Sequence, residues 1–161
     1  MKYLFLALSS FLAIIAQMIA GDNFFIFNFV DLSLILVAYW AVYRNRTQAL
    51  FVGSLTGLLL DAAMGWPLGY NGFGKTLAAF IIGQCWKKFN TREHWVQFTI
   101  IAVSSLASSI SVFALSWVMQ RTSIGILLGA SLIQALLTPF ITIVLFTLMG
   151  THKLNGENKA R

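Results

Sequence analysis

Residues 69–76 read "GYNGFGKT". Written as a pattern this is G-x-x-x-x-G-K-[ST], with Gly69, Gly74, Lys75 and Thr76 in their places. In nucleotide-hydrolysing proteins such a loop cradles phosphates on backbone amides while the lysine reaches the terminal phosphates. The chemistry needs a strand before the loop, a helix after it and a later carboxylate to hold magnesium. Beyond Lys75 the only acid outside the C-terminal tail is Glu93. The preceding stretch, "FVGSLTGLLLDAAMG", has the glycine spacing of an apolar helix rather than the pattern of a strand. Nucleotide chemistry therefore has little to stand on. Cys85 is the lone cysteine, and His94 and His152 fall in polar flanks, so neither a disulfide nor a metal cluster is indicated.

The elements around these residues explain more. The chain has 161 residues, is 58% hydrophobic and only 10% charged, and its mean hydropathy is +0.80. A soluble domain carries about a quarter charged residues, so this composition fits lipid as the surrounding solvent. A spanning helix needs roughly 20 apolar residues. Six runs qualify in outline, at 3–20, 27–43, 48–62, 73–86, 96–119 and 124–149. The expected fold is an all-α integral membrane protein, one six-helix transmembrane domain over 1–150, with 151–161 ("THKLNGENKAR") as a polar tail. The first run has a basic start and an apolar stretch like a signal peptide. Met18-Ile19-Ala20 makes a poor cleavage site, which favours an uncleaved helix.

The net charge of +6 is a topology signal. Lys2, Arg44, Arg46, Lys87, Lys88, Arg92, Lys153, Lys159 and Arg161 fall on one side of a six-span layout, and Arg121 alone on the other. This bias places both termini in the cytoplasm and implies a secondary attraction to anionic lipid rather than to nucleic acid. It also puts the phosphate-loop pattern on the non-cytoplasmic side, away from nucleotide.

Asp31, Asp61 and Lys75 are the charges inside the expected spans, and intramembrane charges are site candidates by default. All three fall in the outer third of the bilayer. Asp31 follows Asn28 by three residues, a spacing suited to capping the start of helix two. Asp61 at a helix C-terminus and Lys75 at an N-terminus each oppose the local helix dipole, by ~0.3–1 kcal/mol. An Asp61–Lys75 ion pair across the hairpin would relieve both, and a polar ligand site is the second reading.

The connection "DAAMGWPLGYNGFGK" carries Gly65, Pro67, Gly69, Gly72 and Gly74. The helices it joins, at roughly 15 residues, would span only about 22 Å. Gly53, Gly57 and Asp61 recur at i, i+4 and i+8, a small-residue face that lets another helix approach. Gly125 and Gly129 repeat the device, and Ser104, Ser105, Ser108, Ser109 and Ser111 suit close packing of helix five. Trp40, Tyr43, Trp66, Trp86, Trp95 and Trp117 are expected near the membrane interfaces as anchors.

With those residues in place, the chain resembles the rod shape-determining MreD family. The likeness rests on "VDLSLILVAYWAVYR" and "GSLTGLLLDAAMGWPLGYNGFGKTLAAFIIG". The family pattern is an acidic or amide residue opening helix two, then G-x-x-x-G-x-x-x-D, then G-x-x-L-G. Asp31, Gly53, Gly57, Asp61, Gly65, Leu68 and Gly69 fill it, and a pair like Lys75-Thr76 occurs in part of the family. Val30 departs from the pattern, since a proline often precedes the Asp31 position. The resemblance implies a non-enzymatic scaffold of the bacterial inner membrane, without cofactor, metal or nucleotide. Its partners would be the bitopic protein MreC and, through it, MreB filaments and peptidoglycan synthesis. The family's fold is similar to the substrate-binding components of energy-coupling-factor transporters, which keeps binding of a small vitamin-like solute as an alternative. Asp31, Gly53, Gly57, Asp61, Gly65, Pro67, Leu68, Gly69 and Lys75 are the structural or partner-interface candidates.

Overall fold

The computed structural model describes residues 2–23, 30–89, 93–119 and 124–148. These form six α-helices and, among the described residues, no strand: α1 (Lys2–Asn23), α2 (Leu32–Tyr43), α3 (Arg46–Met64), α4 (Tyr70–Lys88), α5 (His94–Val118) and α6 (Ile124–Leu148). Two of them, α3 and α5, are by themselves long and apolar enough to cross a membrane. The polar tail 151–161, Arg121, Asn28 and the surroundings of Gly125 and Gly129 lie outside the described residues.

Helix ends are set by caps rather than by hydropathy. Asp31 caps α2, its Oδ1 accepting the Leu34 N–H at 2.9 Å. Asp31 therefore stands just before the helix, not one turn inside it as the apolar run from residue 27 suggested. At the end of α3, Gly65 takes the left-handed conformation with φ 66°. There the Trp66 N–H reaches the Asp61 carbonyl at 2.9 Å and the Gly65 N–H the Ala62 carbonyl at 3.4 Å. This paired closure is a Schellman motif, which glycine adopts without a Cβ penalty. Gly69 (φ 108°) turns the chain into α4. These caps carry α3 and α4 to 19 residues each, about 28 Å. The short spans read from the sequence become full-length ones.

Neighbours in the chain pack as neighbours in space, and α3 with α4 is the most extensive contact. Lying at the centre, α2 touches α1, α3, α4 and α6, and none of its residues is exposed. One half of the bundle is an apolar core of Leu6, Val37, Ala38, Trp40, Ala41, Ala49, Val52, Ala79, Ile82, Ile100 and Phe146. Trp40 is thus a core residue at 4% exposure, whereas Trp95 at 81% and Trp117 at 65% are exposed at the two ends of α5. The outer faces are apolar as well, with Leu8, Phe11 and Leu12 on α1, Ile110 on α5, and Leu136 and Phe140 on α6 all exposed. Apolar surface of this extent fits lipid, not water. Within α6, buried Pro139 has no N–H to give the Ala135 carbonyl, which breaks one rung of the helix ladder.

Candidate functional site: a buried polar cluster

The other half of the bundle is polar inside. Asp31 is its hub, 2% exposed. Its Oδ1 accepts the Leu34 N–H and, at 2.6 Å, the Ser33 hydroxyl. Its Oδ2 accepts the Gln134 Nε2 amide from α6 at 2.9 Å and pairs with the Lys75 ammonium from α4. The Asp31 N–H donates to Thr138 Oγ1 at 3.1 Å, and two residues on, the Ser33 N–H donates to Gln17 Oε1 of α1 at 3.2 Å. One helix start thereby collects α1, α4 and α6. Both side chains of the ion pair are 3% exposed. A pair so deeply buried holds only because each charge is compensated, and further hydrogen bonds use the remaining carboxylate lone pairs.

The sequence reading paired Lys75 with Asp61, and the structure corrects it. A Cβ built on Gly53 would lie 2.7 Å from the Lys75 carbonyl oxygen, so Lys75 is level with Gly53. Gly53 sits two helical turns before Asp61, about 12 Å along α3. Lys75 is thus too far down α4 to reach the hairpin tip, and its side chain turns to α2. The dipole argument failed because it treated each helix alone.

Asp61, fully buried, has a different partner: the start of α4. Its carboxylate accepts the Gly69 N–H at 2.9 Å, the Asn71 N–H at 3.0 Å and, more distantly, the Gly72 N–H at 3.4 Å. Asn71 Nδ2 adds a further bond at 2.8 Å. An acid that opposes the dipole of its own helix end here faces the positive end of the next helix. It caps α4 across the hairpin. The residue at the ordinary cap position, Gly69, has no side chain to do so.

That arrangement disposes of the phosphate-loop pattern. Anion-binding amides of the "GYNGFGKT" segment are occupied by Asp61, most of the segment is helical, and Lys75 is buried on Asp31. Gly74 serves packing, since a Cβ there would come within 2.9 Å of the Ser108 carbonyl and hydroxyl oxygens. Gly57 is tighter still: a Cβ would meet Asn71 O and Gly72 N at 2.4 Å. Gly53 and Gly57 therefore lie directly against the α4 backbone, and the small-residue face of α3 is covered from within the chain. Among the sequence candidates, Leu68 at 70% exposure and Gly65 remain open to the surroundings, with Pro67 half-buried.

Several members of the cluster escaped the sequence reading. Gln17, Ser33, Asn71, Gln134 and Thr138 are uncharged, and attention to charges alone passed over them. Gln134 carried a usable signal, an amide in the otherwise apolar run "ILLGASLIQALL". A buried amide in lipid needs a partner, and a carboxylate elsewhere in the bundle is the obvious one.

No curated protein and no solved structure matches the chain. The model of one protein family, described as rod shape-determining protein MreD, matches residues 1–152. Asp31, Asp61 and the glycines that let α4 lie against α3 all fall within that match. With nearly its whole length covered, this membrane chain belongs to the MreD family of rod shape-determining proteins.

Proposed function

We propose that the protein is a non-enzymatic scaffold of the bacterial inner membrane, acting with an MreC-like bitopic protein to link MreB filaments to peptidoglycan synthesis. It would cross the membrane six times with both termini in the cytoplasm, as the distribution of lysine and arginine supports. The observation that carries the reading is the use of the three intramembrane charges. Each closes a contact between helices: Lys75 and Asp31 join α4 to α2, and Asp61 joins α3 to α4. This is the use expected of a rigid body that positions others. The hairpin tip offers a place for a partner, because Trp66, Leu68 and Phe73 are exposed on a backbone fixed by the Gly65 closure and by Asp61.

Binding of a small vitamin-like solute is the second reading, on a fold similar to energy-coupling-factor components. One observation favours it: the hydroxyls of Tyr70 on α4 and Ser105 on α5 are buried without a partner among the described residues. Mild-detergent purification from native membranes separates the two. The scaffold reading expects an MreC-like protein to co-purify, and its recovery to fall several-fold in Leu68→Ser at unchanged thermal stability. A stoichiometric solute with no protein partner would sink it.

A further inference from the structure

The end of the bundle opposite the Asp31 cluster carries a second feature. Arg44 and Arg46 flank the α2–α3 turn, and Lys87 and Lys88 form the last turn of α4. Arg46 and the second half of α4 lie side by side. The Arg46 stem passes over Gly83, where an added Cβ would lie 3.5 Å from Arg46 Cγ. Lys87 follows Gly83 by one turn of the same helix. The Arg46 guanidinium stands 4.5 Å from the centre of the Phe80 ring, and that of Arg44 stands 5.9 Å from the Trp40 ring. Both arginine heads are thus held by aromatic faces rather than by acids. None of the four cations forms an ion pair with a described residue. Glu93 is the only acid at this end among the described residues, and it is exposed. Phe89, next to Lys88 in the chain, is 54% exposed, and Trp95 in the first turn of α5 is 81% exposed.

We infer that Arg44, Arg46, Lys87 and Lys88 form a binding site for the headgroup of an anionic phospholipid, with two phosphates preferred over one. Clustered cations between helix ends attract phosphate, and an arginine fork already oriented on a ring loses less freedom on binding. Phe89 and Trp95 suit the adjoining glycerol and acyl region, where aromatic side chains concentrate. Two cation pairs on adjacent helices match a headgroup carrying two phosphates better than a single one. Lysine at the end of α4 also faces the negative pole of that helix, so the cluster is not dispersed by its own dipole. The inference is independent of the scaffold reading, because lipid occupancy is measured on the protein alone.

The test is native mass spectrometry of the full-length protein in mild detergent, titrated with cardiolipin, phosphatidylglycerol or phosphatidylethanolamine. Cardiolipin should bind best and phosphatidylethanolamine worst. Changing Arg46→Gln with Lys87→Gln should raise the cardiolipin concentration for half-occupancy at least tenfold. Lys159→Gln with Arg161→Gln removes the same charge from the tail and should leave it unchanged. Arg46→Lys keeps the charge but not the ring-held fork, so its affinity should fall between the wild type and the double variant, which separates lost binding from lost folding. Inorganic phosphate should not compete at matching concentration. Equal weakening by the tail variant, indifference to headgroup charge, or displacement of lipid by a poly-glutamate peptide would each overturn the site.

Discussion

The ammonium of Lys75 on α4 closes on the carboxylate of Asp31 at the start of α2, while Asp61 turns its own carboxylate to the backbone of α4. The two acids are held by entirely different donors. Removing either member of the Asp31–Lys75 pair leaves the other buried and unpaired, which costs ~3–5 kcal/mol. Asp31→Asn and Lys75→Met should therefore each lower the melting temperature in detergent markedly. The double change should be milder than the sum of the two. A double-mutant cycle measures the coupling, and strict additivity would show that the pair does not form.

Asp61 should behave as a cap. Asp61→Ala strips the partner from the Gly69 and Asn71 amides and should cost ~1–3 kcal/mol. Asp61→Asn, which keeps one acceptor oxygen, should cost less. Crossed with Lys75→Met it should be additive within about 0.5 kcal/mol, since the two side chains share no partner. Strong coupling there would restore the pairing that the sequence suggested.

The glycines can be ranked by what a methyl group would meet. Gly57→Ala collides with backbone at 2.4 Å and Gly53→Ala at 2.7 Å, so both should destabilise, Gly57 more. Overpacking of this kind costs ~1–3 kcal/mol. Gly83→Ala meets only the Arg46 side chain at 3.5 Å. Alanine is the better helix former by about 1 kcal/mol, so that change should be neutral or stabilising. Thermal melts of the three variants check the order, and a harmless Gly57→Ala would mean that α4 does not lie against α3.

Cys85, in the last turns of α4, reports orientation. A membrane-impermeant thiol reagent should label it poorly in intact cells and well in inverted vesicles. Efficient labelling from outside would reverse the proposed topology.

The six helices were legible because lipid imposes a simple rule: long apolar runs separated by charged or glycine-rich turns. Their ends were less so. Tyr70, Asn71 and Gly72 look like loop by hydropathy, yet they are helical because Asp61 supplies the cap from another helix. The choice of ion pair was hidden for a related reason. Asp61 and Lys75 are near in sequence, but one turn of helix more or less decides which neighbour a lysine meets. Gly53 and Gly57 were read as a packing face from spacing alone, though nothing in one sequence said which helix covered it.

The order of the hub's partners along the chain has a consequence for how the protein enters the membrane. Asp31 is synthesised before Lys75, and Gln134 comes 103 residues after Asp31. When α4 leaves the ribosome, its lysine meets a carboxylate already installed, one kept in place by Ser33 and Leu34 next to it in the chain. The lysine then has no need to face hydrocarbon alone, and the arrival of α6 only completes what exists. Insertion of α4 from a chain truncated at Phe89 should accordingly drop with Asp31→Asn. In the full chain, Gln134→Ala should leave that step untouched, and equal insertion of α4 with and without the Asp31 carboxylate would refute this order of assembly.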